Sequence, residues 1–173
     1  AAQAIYDPAT KKCTLVRYSG TEKNMALPAS VQGYTITDIG SSFLADNWTM
    51  CDVVIPQGVT TIRDRAFASC FAKSVFIPAG CTEIGKDVFG STVTKILVDG
   101  NNPKYSSVEN NLCDKAGTTL LACVQPMRDF YSIPDGIRRI AADVKLNSQV
   151  KTLIVPASVE VLSDTFFSTY LEN

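Results

Sequence analysis

The chain of 173 residues is long enough for one domain with a substantial core, and its 46% hydrophobic and 19% charged residues are typical of a folded globular protein. Its formal net charge of −1 and the absence of long runs of lysine and arginine argue against the positive surface that binding to nucleic acid needs, so nucleic acid is not an expected partner. The sequence contains no histidine, which excludes histidine-based catalytic triads and histidine metal ligands.

The first residues of the chain bear on where the protein acts. The sequence begins Ala-Ala-Gln, which suits the residues left beside a small-residue signal cleavage site. No apolar run approaches the roughly 20 residues of a membrane-spanning helix, so membrane insertion is not expected. The sequence start therefore leaves two alternatives, a cytosolic protein or a protein whose signal peptide has been removed.

A pair of an aliphatic residue and proline recurs along the chain and marks a repeat. The stretch IPQGVTTIRDRAF at residues 55–67 is nearly repeated 22 positions later as IPAGCTEIGKDVF at residues 77–89. Five of the eight prolines occupy this position: Pro28, Pro56, Pro78, Pro134 and Pro156. A fixed period of about 20 to 50 residues indicates a solenoid of stacked coils.

Each repeat has the same order of local signals. An alternating apolar segment such as residues 53–55 comes first, and residues two apart in it share one face of a strand. Proline then ends the strand, because it cannot donate the next ladder hydrogen bond. Two apolar residues three positions apart follow, as at Val59 and Ile62, and then a pair such as Ala66-Phe67. The spacing predicts one helical turn that returns the chain to the next strand.

One coil departs from this pattern. In the coil that follows Pro134, Lys145 occupies the position that phenylalanine holds at Phe67 and Phe89. This coil is therefore expected either to turn Leu146 inward or to leave the core incompletely packed at this position.

The cysteines are expected to be core thiols and not a metal site, because no CxxC pair is present and no histidine completes a zinc site. Cys81 fills the position of Val59 in the preceding repeat. Cys113 and Cys123 flank a turn signal at residues 114–117, but Cys123 lies several residues too far along for direct pairing across a hairpin. A disulfide between them is left open.

Two clusters of Asp, Asn and Gly, at residues 99–102 and 114–117, are predicted to be turns. Neither has the spaced acidic ligands and closing glutamate of a calcium-binding loop. No serine or lysine is paired with a base at a recognisable spacing, and no GxSxG motif is present. The sequence therefore predicts no catalytic residue, no metal and no cofactor, and the protein is not expected to be an enzyme.

The motif IPxxVTxIxxxAFxxC, present from Ile55 to Cys70, resembles the BspA-like leucine-rich repeat family. Residues 101–124 resemble the hairpin-bearing insert that interrupts such arrays. The resemblance implies an α/β fold: a right-handed, β-rich leucine-rich-repeat solenoid with short parallel strands and brief helical turns. It also implies an N-terminal hairpin cap at residues 1–26 and a solenoid at residues 27–173, forming one domain overall with an insert at residues 99–130.

One outward-facing row of the predicted sheet is apolar where the family pattern implies threonine or serine. If the flanking residues of each strand point into the core, the residue between them points to solvent. The candidate ligand-binding residues are this row and its neighbours: Val54, Phe76, Leu97, Ile154, Phe130 and Lys95. Contiguous exposed apolar patches usually mark interaction sites. The alternative is that the insert or the N-terminal hairpin folds across the row and covers it.

The resemblance implies a non-enzymatic recognition or adhesion module that is secreted or displayed at the cell surface. The expected partner is a protein, such as a host extracellular or cell-surface protein, bound through the exposed face of the sheet; a homodimer through that face is a further expectation. Two alternatives stay open. One is a structural accessory domain of a larger surface protein, and the other is a carbohydrate-binding module that uses Trp48, Tyr34 or Tyr105.

Overall fold

The structure is a computed structural model that describes residues 1–124, 128–146 and 148–162. In these residues it contains sixteen strands and no helix. In chain order they are β1 (Ala2–Asp7), β2 (Lys12–Tyr18), β3 (Asn24–Ala26), β4 (Ser30–Val31), β5 (Tyr34–Ile39), β6 (Asn47–Val54), β7 (Thr61–Ile62), β8 (Cys70–Ile77), β9 (Glu83–Ile84), β10 (Lys95–Val98), β11 (Tyr105–Val108), β12 (Asn111–Asp114), β13 (Thr119–Ala122), β14 (Phe130–Ser132), β15 (Arg139–Ile140) and β16 (Thr152–Ile154).

The strands form a β-solenoid with a sheet on each side of its first coils. The repeat sheet has the order β10-β8-β6-β3, and all its pairings are parallel. The opposite sheet has the order β1-β2-β5-β7-β9, with β4 paired to β5. Two further sheets follow in the chain: the insert sheet, ordered β11-β12-β13-β15, and the short sheet, β14-β16.

The coil that starts at β6 shows how the repeat sequence makes one turn of the solenoid. The strand ends before Pro56, and the backbone N–H of Val59 donates to the Pro56 carbonyl at 3.1 Å to close a tight turn. Thr61–Ile62 then adds a short strand to the opposite sheet. Stacking aligns equivalent residues of successive coils, so that Val53 lies beside Val75. Each coil thus buries the apolar side of its neighbour.

The predicted brief helical turns are not found among the described residues, so the α/β part of the predicted fold class is not confirmed. Single turns occupy these places, as where the Ala66 N–H donates to the Arg63 carbonyl at 3.3 Å. The next steps of a helix are prevented by positive φ angles of 57° at Arg65 and 51° at Asp87. A right-handed helix requires negative φ at every residue, and the chain therefore returns to extended backbone after one turn.

The insert divides the buried side chains into two clusters. The first core extends from Cys13 through the stacked coils to Val124, and the second core is built around Ile137, Ile140 and Tyr131. The insert is a three-stranded antiparallel meander whose last strand, β13, pairs in parallel with β15. The solenoid thus resumes on the insert and not directly on the preceding coil.

Two buried asparagines fix the insert in place. The Asn102 side chain donates to the carbonyls of Pro78 at 3.0 Å and Cys81 at 2.8 Å. The Asn111 side-chain oxygen accepts from the Val124 N–H at 2.9 Å and from the Tyr131 hydroxyl at 2.8 Å. Buried amides are stabilising only when their hydrogen-bonding capacity is met, and these two satisfy it with backbone and tyrosine partners.

The N-terminal hairpin closes one end of the opposite sheet. Its strands β1 and β2 are antiparallel, and β2 continues the stack by pairing in parallel with β5, Cys13 lying beside Ile36. Asn24–Ala26 is already the edge strand of the repeat sheet. The division of the chain at residues 26 and 27 stays a prediction.

Candidate functional site

Four apolar side chains lie side by side on the outer face of the repeat sheet. Val54 pairs with Phe76 in the parallel register, Phe76 pairs with Leu97, and Ala26 pairs with Val54 on the other side. We call Ala26, Val54, Phe76 and Leu97 the apolar row. Val54 is 45% exposed and Leu97 is 38% exposed, and Phe76 between them is half-buried. The structure therefore brings together three of the predicted site residues in one continuous surface.

The residues one position earlier in these strands support the row from below. Their exposures range from 0% to 1%: Met25, Val53, Val75 and Ile96. Strand geometry places alternate side chains on opposite faces, so every outward side chain of the row stands on a packed inward one. The row is consequently a surface held on a rigid scaffold.

A polar row runs beside the apolar one, two positions earlier in each strand. It consists of Asn24, Asp52, Ser74 and Lys95, which are paired across the sheet. The Ser74 hydroxyl donates to the Asp52 carboxylate at 2.6 Å, and the Lys73 ammonium lies 3.8 Å from the same carboxylate. Lys95 is exposed and has no hydrogen-bond or salt-bridge partner among the described residues.

Ile154 and Phe130 do not belong to this surface. They lie on the short sheet, where Ser132 pairs with Ile154 and Phe130 pairs with Thr152. Ile154 is 48% exposed, and the Arg128 guanidinium lies 5.5 Å from the centre of the Phe130 ring. The insert separates the two sheets, so the single row expected from sequence is two patches. The role of either patch in ligand binding stays a prediction.

The insert lies beside the apolar row and not over it. The Ile96 N–H donates to the Asn110 carbonyl at 2.8 Å, and the Val98 N–H donates to the Ser107 hydroxyl at 2.7 Å. These bonds place the insert at the edge strand β10. Among the described residues, neither the insert nor the N-terminal hairpin covers Val54 or Leu97.

A second exposed apolar cluster lies at the other end of β6 and β8; sequence reasoning considered its Trp48 but missed Met50 and Phe71. Trp48 is 55% exposed and Met50 is 48% exposed, and the Trp48 ring meets the 38% exposed Phe71 ring edge to face with centroids 5.0 Å apart. The β6–β8 register is irregular between Asn47 and Cys51, which breaks the simple alternation of faces. Alternation alone could not have placed these side chains.

The three aromatic residues considered for carbohydrate binding are not brought together. Trp48 is exposed, whereas Tyr34 packs edge to face on Tyr6 with centroids 4.8 Å apart. Tyr105 is only 5% exposed, and its hydroxyl accepts the Ile84 N–H at 3.2 Å. The expectation that Tyr105 is a surface aromatic is therefore wrong, because this ring fills space between the insert and the preceding coil.

All six cysteines are buried and none forms a disulfide: Cys13, Cys51, Cys70, Cys81, Cys113 and Cys123. Cys113 lies opposite Leu120 and not opposite Cys123, so the hairpin register does not pair them. Burial raises the pKa of the Cys51 and Cys81 thiols to about 11 and that of Cys113 to about 12. These thiols are neutral at ordinary pH and are poor nucleophiles.

The acidic turn at residues 114–117 uses its carboxylate internally. The Asp114 carboxylate accepts from the Thr118 and Thr119 N–H groups at 2.9 and 3.0 Å. Burial acts to raise the pKa of Asp114, but these hydrogen bonds outweigh it and the pKa is lowered. Within residues 1–124, 128–146 and 148–162 no group of three or more potential metal ligands is assembled.

In the part of the chain that the structure describes, no helix has the length and apolar character needed to cross a membrane.

Stacked coils of 22 residues with a parallel sheet on one side define a leucine-rich-repeat solenoid.

These repeats are of the BspA type: residues 23–98 match the family model described as "BspA type Leucine rich repeat region", in six copies. The resemblance to the BspA-like leucine-rich repeat family is therefore confirmed. No curated protein sequence matches the chain.

Several solved structures are similar to the chain at low identity. A leucine rich cell surface protein from Faecalibacterium prausnitzii is 16% identical, with a TM-score of 0.40, over 91% of this chain and 72% of that one. A leucine-rich repeat protein from Eubacterium ventriosum is also 16% identical, with a TM-score of 0.42, over 88% of this chain and 59% of that one. The pneumococcal vaccine antigen PcpA is 13% identical, with a TM-score of 0.32, over 94% of this chain and 67% of that one.

Proposed function

We propose that the protein is a secreted or cell-surface recognition module that binds a protein partner through the apolar row of the repeat sheet. The observation that carries the proposal is the alignment of Val54, Phe76 and Leu97 on adjacent strands with their neighbours buried beneath them. The BspA-type repeats support a location at the cell surface, which is typical of that class.

The chemistry of the surface suits a protein interface. Such interfaces have an apolar centre with a polar rim that fixes the orientation of the partner. Here the apolar row is the centre, and the polar row beside it offers the Asp52 carboxylate, already shared with Ser74 and Lys73, and the unpaired ammonium of Lys95. The partner we propose is an extracellular matrix or cell-surface protein with an apolar patch and an acidic group opposite Lys95.

Surface-plasmon binding of the purified chain to a panel of extracellular matrix proteins tests the proposal. Phe76→Asp places a charge in the centre of the row, and we expect it to abolish saturable binding. Ile5→Asp is the matched control, because Ile5 is 66% exposed on β1, away from the row. It should leave binding unchanged. Equal binding by the wild type and Phe76→Asp would contradict the proposal.

A second copy of the chain is the other occupant that this face would accept. Sedimentation velocity of the wild type and of Phe76→Asp separates the two cases. Self-association that Phe76→Asp abolishes would assign the row to a homodimer. Unchanged association together with a lower melting temperature would assign Phe76 a purely structural role.

A carbohydrate-binding function is a second candidate, and the exposed Trp48–Phe71 pair is the observation that favours it. Exposed aromatic faces stack on the apolar face of a sugar ring. A glycan screen with Trp48→Ala as control tests it: binding lost in the variant supports this function, and no signal above control removes it. Silence in both screens would favour a structural accessory domain of a larger surface protein.

A further inference from the structure

A cavity of about 160 Å³ lies where the insert interrupts the stacked coils. Its apolar wall includes Val88 and Phe89 from the coil before the insert, Leu112 from the insert, and Val144 from the coil after it. Val88, Leu112 and Val144 are each 3% exposed. The cavity therefore lies between the first and the second core, where the insert keeps a coil from stacking directly on the coil before it.

The phenylalanine positions of successive coils explain why this space is empty. The Phe43 and Phe67 rings meet edge to face with centroids 6.0 Å apart, and the Phe67 backbone pairs with that of Phe89. Phe67 is fully buried, but Phe89 is only half-buried. The next phenylalanine position is held by Lys145, which lines the cavity without filling it. The cavity is thus adjacent to Phe89, the last phenylalanine at this repeat position before the coil in which Lys145 replaces it.

Two carboxylates and one ammonium surround the opening. The Lys145 Nζ lies 3.2 Å from the Asp87 Oδ1, and both residues line the cavity. Asp143 lines it as well and is exposed, and it has no hydrogen-bond or salt-bridge partner among the described residues. Once Lys145 is paired with Asp87, the charge left at the opening is negative.

We propose that this cavity binds a small aromatic amine, with the ring between Phe89 and Val144 and the ammonium against the Asp143 carboxylate. Apolar cavities of about 150 Å³ hold a single benzene ring. A ring placed beside Phe89 and Tyr105 would make the edge-to-face contacts that aromatic side chains favour. A charge-assisted hydrogen bond to Asp143 would then select an amine over a neutral or acidic ligand.

Phenethylamine is the probe, and nuclear magnetic resonance titration of the labelled chain is the measurement. We expect saturable shifts of the backbone amides of Val88, Phe89 and Val144. Two matched compounds separate the contributions: 3-phenylpropionate keeps the ring and reverses the charge, and butylamine keeps the charge without the ring. Each should bind at least about tenfold more weakly, which corresponds to about 1.4 kcal/mol.

Two substitutions at Lys145 locate the binding. Lys145→Phe restores the phenylalanine of the repeat and fills the space, so phenethylamine shifts should disappear while the melting temperature rises. Lys145→Ala removes the same ammonium but leaves the space open, so binding should persist. Asp143→Asn should remove the preference for the amine over 3-phenylpropionate.

The spectrum of each variant reports folding directly, so a misfolded variant is recognised before it is titrated. Absence of saturable shifts in the wild type would overturn the proposal. Unchanged binding by a folded Lys145→Phe variant would also overturn it, because the ring would then be bound elsewhere.

Discussion

The same sequence position is packed differently in the inner coils and in the last coil that the structure describes. The residue that precedes the repeat proline is 1% exposed at Ile55, 0% exposed at Ile77 and 2% exposed at Ile133, but Val155 is 44% exposed. All four follow an alternating apolar strand. The repeat sheet has four strands, whereas the short sheet has two.

This difference shows that the repeat sequence specifies a strand and a turn but does not by itself bury them. In a solenoid each coil contacts only its neighbours, so burial depends on what stacks on either side. Four coils in direct succession give the repeat sheet a continuous row of fully buried residues, whereas the short sheet contains a single strand pair.

The largest expected effect comes from removing a core ring on the well-stacked side. Phe67→Ala should lower the free energy of unfolding by about 3–5 kcal/mol, because it leaves a cavity between packed coils. Leu153→Ala, at a half-buried position of the short sheet, should cost less than about 2 kcal/mol, since its surroundings are partly solvent. Urea unfolding monitored by circular dichroism measures both. Equal losses would contradict the difference in packing between the two regions.

A smaller effect is expected at the junction of the two cores. Asn111→Ala removes the acceptor of the Val124 N–H and of the Tyr131 hydroxyl. The hydroxyl can rotate to another partner, but the buried Val124 N–H cannot, and a buried group left unsatisfied costs about 1–3 kcal/mol. Hydrogen exchange should then accelerate in residues 128–162 more than in residues 24–98. The control is Asn101→Ala, an exposed position in the turn before the insert. Uniform acceleration along the chain would show that the two cores unfold as one unit.

Alkaline pH should destabilise both regions through their buried thiols. The pKa of Cys51 is raised to about 11 and that of Cys113 to about 12, from 9.0 for an exposed thiol. Above pH 9.0 these thiols ionise in the unfolded chain but stay neutral in the folded chain, and this difference favours unfolding. The stability that the thiols contribute to the folded state is therefore complete below pH 9.0 and is lost as the pH rises through their folded-state pKa values. Urea unfolding on both sides of this pH should show the decline. Cys51→Ala and Cys113→Ala should each reduce its slope, and an unchanged slope in both would contradict this origin.

The smallest effect is expected for an ion pair in the region after the insert. The Arg138 guanidinium lies 2.9 Å from the Glu160 carboxylate, but the two side chains are 61% and 60% exposed. Exposed pairs contribute about 0–1 kcal/mol because water screens them. Arg138→Gln should therefore change the unfolding free energy by less than about 0.5 kcal/mol. A loss comparable to that of Leu153→Ala would mean that this pair, and not apolar packing, holds the coil.

Much of the fold could be predicted from the sequence because its signals are local and repeated. The proline positions, the alternation around Val53 and Val75, and the turn glycine Gly117 all identify elements from a few adjacent residues. The brief helical turns could not be excluded in this way. Positive φ is uncommon at arginine, so the sequence does not predict it at Arg65, and aspartate adopts it more often but also occurs in helical turns, so Asp87 does not specify it.

The candidate site was predictable only where stacking is uninterrupted. Val54, Phe76 and Leu97 were expected to be neighbours because their strands follow one another at the repeat spacing. The strand register pairs Val54 with Phe76 and Phe76 with Leu97, as expected. Ile154 was expected in the same row, but its position depends on how the insert is placed, and that is set by long-range contacts such as those of Asn111. The burial of Tyr105 depends on the same contacts.

The register of the repeat sheet also sets a length scale for whatever lies on it. Side chains of the apolar row recur at the strand spacing of about 4.8 Å, and those on one side of a helix recur at about 5.4 Å per turn. Alternate residues of an extended strand recur at about 6.8 Å. The side chains on one face of a helix lying across the strands would therefore stay close to Ala26, Val54, Phe76 and Leu97 in turn. The side chains of an extended segment in the same direction would be displaced from these residues after one or two positions.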